Sequence, residues 1–107
     1  MSWQVKKEEK YSIYTPLFSS ILELEKAITH LHTEENKIID CTSLLLTDST
    51  IAILAKAYNL HIFSKKSFVV VISDKKDMDN FEKYFVVVPT ISEAIDYIYI
   101  EELENFL

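Results

Sequence analysis

Apolar and polar residues alternate over residues 3–7 and again over 11–14, which is the period of a half-buried strand. The polar link Glu8, Glu9, Lys10 suits a tight hairpin, so the pattern predicts two short antiparallel strands, the second ended by Pro16. Ser20 and Glu23 then form a capping-box pattern, and Ile21, Leu24, Ile28 and Leu31 fall on one helical stripe that stops near His32. After polar residues 33–36, residues 37–41 have the apolar run of a buried strand, and polar residues follow where it leads into a loop. Asp48 is placed as the N-cap of a helix over 49–63, in which Ile51, Leu54, Ala55, Tyr58 and Ile62 recur at helical offsets. Residues 65–67 form a turn before 68–72, an unbroken β-branched run that predicts a central strand covered on both faces. Asp77 is placed as the cap of a short helix reaching Tyr84, residues 85–88 as one more strand, and Pro89 as its end. Thr90 and Glu93 form a second capping box, opening a last helix that carries Ile91, Ala94, Ile95, Ile98, Leu103 and Phe106. Residues 97–100 could equally form a strand. If they are helical, both faces are apolar there, and an exposed Tyr97 or Ile100 would mark a contact surface.

This order of elements predicts an α/β fold. Its sheet is mixed and mostly parallel, with four or five strands, an N-terminal antiparallel hairpin and about four helices. The 107 residues, 49% of them apolar, fit one domain with one core. No apolar run approaches the roughly eighteen residues of a membrane helix, and the N-terminus lacks the apolar block of a signal peptide, so a soluble, cytoplasmic protein is expected. The single cysteine, Cys41, fits a reducing compartment.

Charge and composition remove whole classes of function. Seventeen acidic residues stand against eleven lysines with no arginine, a net charge of −6, which argues against nucleic acid as a partner. The pairs Lys65, Lys66 and Lys75, Lys76 read as solvated loop charges. Glycine is absent, which excludes the Gly-rich phosphate cradles of P-loop and Rossmann enzymes. His30 and His32 lie two apart, not at the i, i+4 spacing of a helical metal pair; with Glu34 and Glu35 nearby they form at best a weak metal candidate. Cys41, flanked by apolar strand residues, reads as a small buried hydrophobe rather than a nucleophile. No Ser, His, Asp constellation emerges from the spacing, and no cofactor is expected.

One stretch remains, Ile38, Ile39, Asp40, Cys41, Thr42, followed by Asp48, Ser49, Thr50. Asp40 at a strand end can accept backbone N–H groups of the following loop, and Ser49 and Thr50 stand in the first turn of a helix, where unpaired N–H groups favour negative charge. The plainest reading of Ser49 is a residue that supports capping. The stretch also resembles the signature of STAS domains, the family of bacterial anti-sigma factor antagonists: two β-branched residues, Asp, an apolar residue, Ser, a spacer of five, then Asp, Ser, Ser, Gly, Leu. Asp40 and Asp48 keep that spacing, Thr42 stands for the first Ser, Ser49 for the phosphorylatable Ser and Thr50 for the next. The run Val88, Pro89, Thr90, Ile91, Ser92, Glu93, Ala94, Ile95 is similar to the family's last helix.

The resemblance implies a regulatory switch rather than an enzyme. Such a domain docks, through its second helix and neighbouring loops, on an ATP-dependent serine kinase that also acts as anti-sigma factor; phosphorylation of the Ser ends the docking. Asp40, Thr42, Asp48, Ser49, Thr50 and Ile51 are then the expected partner-binding residues, with Ser49 the phosphoacceptor. Ile51 stands in the place of the family's Gly and Ala52 in that of its Leu, and a branched side chain beside Ser49 could obstruct a kinase. That favours an alternative, a degenerate STAS-like scaffold that binds its partner constitutively. A receiver-like domain with Asp40 as phosphoacceptor needs an acidic pair after the first strand and a Lys after a late one, and Val88 and Pro89 lead to Thr90 without the Lys. Pairing with a second copy stays open.

Overall fold

The computed structural model describes residues 3–44 and 46–106; Leu45 and the side chains of residues 105 and 106, Phe106 included, lie outside the described residues. In chain order the elements are β1 (Trp3–Lys7), β2 (Ser12–Pro16), α1 (Ile21–Thr29), β3 (Lys37–Asp40), α2 (Asp48–Phe63), β4 (Phe68–Val71), α3 (Lys75–Phe81), β5 (Val86–Val88) and α4 (Ile91–Phe106). The strands form a single five-stranded sheet in the order β1-β2-β3-β4-β5. β1 runs antiparallel to β2, and the other three pairings are parallel. This is the expected α/β architecture with its N-terminal hairpin.

Period-two alternation in β3 and β4 divides their side chains between two layers. Ile39, Phe68 and Val70 pack with Leu54 and Ala57 of α2 and Phe81 of α3, while Ile38, Val69 and Val71 pack with Ala94 and Ile98 of α4. Helices therefore cover both faces, which is why β4 is apolar at every position and β3 carries Ile38 and Ile39 side by side. Each such side chain contributes roughly 1.5 to 3 kcal/mol through burial. Cys41 is buried just past β3, and burial pushes its thiol up to about 12, so it is inert packing, as read.

Two caps differ from the sequence reading. Thr47, not Asp48, is the N-cap of α2: its hydroxyl accepts from the Thr50 N–H, and the Thr50 hydroxyl accepts from the Thr47 N–H. The reciprocal pair satisfies two orphan donors where Asp48 would satisfy one, and Asp48 instead complements the dipole from the first turn. Likewise Asp74, not Asp77, caps α3 by accepting from the Asp77 N–H, so that helix starts earlier and ends at Phe81 rather than Tyr84. Ser20 and Thr90 cap α1 and α4 through the Glu23 and Glu93 N–H groups, each at 3.2 Å.

The buried stripe of α2 is Thr50, Leu54, Ala57 and His61, whereas Ile62 is exposed. α2 is apolar almost all round, so periodicity alone does not fix its rotation. The helix turns in two polar residues that bond internally and leaves isoleucine outside. On α1, Ile21 is likewise exposed while Leu24 and Ala27 are buried. Residues 97–100 are helical, and of that segment Tyr99 and Ile100 are exposed and Tyr97 is half-buried. After α2, Lys65 takes φ 61°, and the Lys66 N–H bonds back to the His61 carbonyl. In a chain without glycine, a lysine bears the cost of this left-handed exit, roughly 1 kcal/mol.

Candidate docking face and switch serine

β3 ends at Asp40, and α2 begins beyond its carboxyl end, so residues 40–44 and 46–50 belong to the junction between the strand end and the helix head. Asp40 Oδ1 accepts from the Thr42 N–H at 3.1 Å and from the Thr42 hydroxyl at 2.7 Å, fixing the first turn of this loop. The Cys41 N–H bonds to the Val71 carbonyl, and Leu44 and Leu46 pack on the core beneath. The loop is thus tied at both ends and delivers the chain to the Thr47 cap in a fixed direction.

At the head of α2, Ser49 is exposed and Thr50 is not: Thr50 is 1% accessible. The Thr50 side chain is occupied with the cap beneath the surface. Ile51 is half-buried and packs on the core, so its branched side chain is drawn inward rather than standing wholly over Ser49. Thr42 and Asp48 are exposed and Asp40 is half-buried.

From Ser49 an exposed line runs down α2 through Ala52, Lys56, Leu60 and Phe63, one turn at a time. Phe63 is 89% exposed. Beside this line a groove of about 440 Å³ opens between α1 and α2, walled by Ile28, Leu31, Ala52, Ile53 and Leu60, with Glu25 and Lys56 at its rim. Leu17, Ile21 and Leu22 extend the apolar surface onto the start of α1. Exposed apolar side chains gathered along one helix pair are the usual mark of a surface that another protein covers.

A polar cluster lies at the opposite end of the sheet, and nothing in the spacing of the sequence marked it. Lys37, the first residue of β3, is wholly buried. Its Nζ donates to the His32 carbonyl and lies 2.9 Å from His61 Nε2, with the Tyr14 ring 5.7 Å away. His61 Nδ1 is 2.8 Å from the Ala57 carbonyl, so that nitrogen carries the hydrogen and Nε2 accepts from Lys37. Glu35 is held by the Tyr14 hydroxyl at 3.1 Å and by His32 Nε2 at 2.8 Å. Burial lowers the Lys37 amine to about 8 against the opposing pull of Glu35, and burial with the Lys37 charge lowers the His61 imidazole. Burial alone would raise Glu35, but hydrogen bonds from Ser12 and Tyr14 and the charges of Lys37 and His32 outweigh it and hold the carboxyl low. The available clue was a histidine four residues past Ala57 on a helix face that must go inside.

His30 is exposed, and His32 is engaged by Glu35; among the described residues no group of three or more metal-ligating side chains is gathered. Among them, too, no helix is long and apolar enough to cross a membrane.

No family model matches the chain, and no curated protein matches it by sequence. Its backbone does match solved structures. An anti-sigma factor antagonist from Mycobacterium paratuberculosis superposes with a TM-score of 0.74 at 19% identity, covering 91% of this chain and 92% of that one. The protein TM1081 superposes at 0.67 with 15% identity, covering 89% and 86%. The chain therefore has the STAS-like fold of an anti-sigma factor antagonist, as the resemblance of its sequence implied.

Proposed function

We propose that this chain is a regulatory, non-enzymatic protein-binding domain that works as an anti-sigma factor antagonist. It docks through α2 and the β3–α2 loop on an anti-sigma factor that is also a serine kinase. In the transfer step the γ-phosphoryl group of ATP passes to Ser49 Oγ, the hydroxyl proton leaves, and ADP is released. The product carries close to two negative charges where an uncharged hydroxyl had been, beside Asp48, on a surface otherwise suited to apolar contact. The observation that carries this reading is the exposed Ser49 at the head of the Ala52, Lys56, Leu60, Phe63 line, with its neighbour Thr50 buried. Ile51, in the place of the family's glycine, is half-buried and packs on the core, which supports access to Ser49.

The docking half of this reading is tested by placing a charge on each helical face in turn. Ala52→Arg, one turn from Ser49, is expected to weaken calorimetric binding to such a kinase by roughly 10- to 100-fold while leaving Tm unchanged. Ser92→Arg, exposed at the start of α4 across the sheet, is expected to bind like the parent. Equal loss in both, or loss only in Ser92→Arg, would place the interface elsewhere.

A further inference from the structure

We propose that the contact between Lys37 and His61 is an acid-sensitive latch that seats the C-terminal half of α2 on the sheet, and that taking up a proton on His61 opens it.

The geometry carries the argument. In the neutral state His61 spends Nδ1–H on the Ala57 carbonyl and offers the Nε2 lone pair to the buried ammonium of Lys37. Protonation turns Nε2 from acceptor into donor, so two donors and two positive charges then face each other across 2.9 Å of protein interior. Relief within the cluster is limited. From the α1–β3 segment, the Glu35 carboxylate is held by Tyr14 and His32; the His32 carbonyl, which accepts from Lys37, offers the charged ring a partial acceptor, and the His32 imidazole opposes the charge. From β2 comes the Tyr14 ring, and from β4 the Phe68 ring, 4.9 Å from the imidazole, neither of which supplies a counter-charge. The direct escape is for His61 to swing toward water, and His61 lines the α1–α2 groove beside Leu60 and Ala57. Opening the latch therefore loosens the helix half that forms one wall of that groove. Three linked groups act in one direction: His61 and Lys37 are bases held below their ordinary range and Glu35 is an acid held below its own, so in each case the unfolded chain binds more protons and stability rises with pH. Of these three groups only His61 is an imidazole whose proton uptake turns the acceptor facing Lys37 into a donor, which makes it the sensing group. The latch does not depend on whether Ser49 accepts phosphate.

Two NMR measurements on the intact chain test this. The His61 ring resonances are followed from about pH 5 to pH 8, and amide exchange over residues 58–63, corrected for its intrinsic pH dependence, is compared across the same range. The parent is expected to bind the His61 proton less tightly than free imidazole, with exchange in this segment accelerating about tenfold as the ring protonates. His61→Gln, which keeps a neutral acceptor, is expected to show no acid-dependent acceleration. Lys37→Met is expected to raise the His61 proton affinity above that of the parent, with burial still holding it below that of free imidazole. A parent His61 that titrates like free imidazole, with no change in exchange, overturns the proposal, as does the same acceleration in His61→Gln. Should Lys37→Met fail to fold, the comparison of the parent with His61→Gln decides by itself.

Discussion

Replacing Ser49 with aspartate is expected to abolish measurable binding to an anti-sigma kinase, a loss of about 100-fold or more, while Ser49→Ala binds within about threefold of the parent. The asymmetry follows from where the residue stands. At the edge of an apolar docking line, a hydroxyl can be covered at little cost, so removing it changes little. A carboxylate in the same place must be stripped of water against a partner surface matched to a neutral group, with Asp48 adjacent and of the same sign. Both variants should retain the parent Tm, because Ser49 is exposed and Thr47 and Thr50 close the cap between themselves. Titration calorimetry with circular dichroism on all three chains separates the effects. Equal affinities would leave the constitutive scaffold as the better account.

The largest effect on stability is expected at the buried amine. His61→Leu takes one acceptor from the buried Lys37 ammonium and leaves it the His32 carbonyl, which is expected to cost about 1 to 3 kcal/mol. For a chain of 107 residues this lowers Tm by roughly 5 to 15 °C. Lys37→Met combined with His61→Leu removes both polar partners and fills the space with apolar atoms, so the double variant should recover to within about 1 kcal/mol of the parent. Urea unfolding of the parent, both single variants and the double variant yields the coupling energy directly. Additive losses would mean that the two side chains do not act as a pair.

The parts of the fold that were legible in the sequence are those with one physical solution. The runs Ile38, Ile39 and Val69, Val70, Val71 can be buried only on both faces, so a covered, largely parallel sheet followed from them. Ser20 and Thr90 stand immediately before clear apolar stripes, and both cap as read. The failures came where two solutions compete. Thr47 and Asp48 are both good caps, and the choice turned on the reciprocal bond from Thr50, which needs the loop geometry to be seen. Asp74 and Asp77 pose the same ambiguity one helix later.

The site was legible to a similar degree. The positions of Asp40, Thr42 and Ser49 at a strand end, in the loop after it and at a helix head were readable because a polar residue after a buried strand and a hydroxyl at a helix head have local causes. The burial of Thr50, the inward turn of Ile51 and the Lys37–His61 pair depend on how α2 is rotated on the sheet. Residues 48–63 do not encode that rotation in their periodicity, because apolar side chains occupy nearly every face. His61 was chosen for the interior by partners on β3 and on its own preceding turn, a contact set by tertiary packing rather than spacing.

Incubation with an anti-sigma serine kinase and ATP, followed by weighing of the intact chain, tests the switch most directly. The account predicts that the parent gains the mass of one phosphate and that Ser49→Ala gains none; an unmodified parent, or a Ser49→Ala chain that still takes up phosphate, would contradict it.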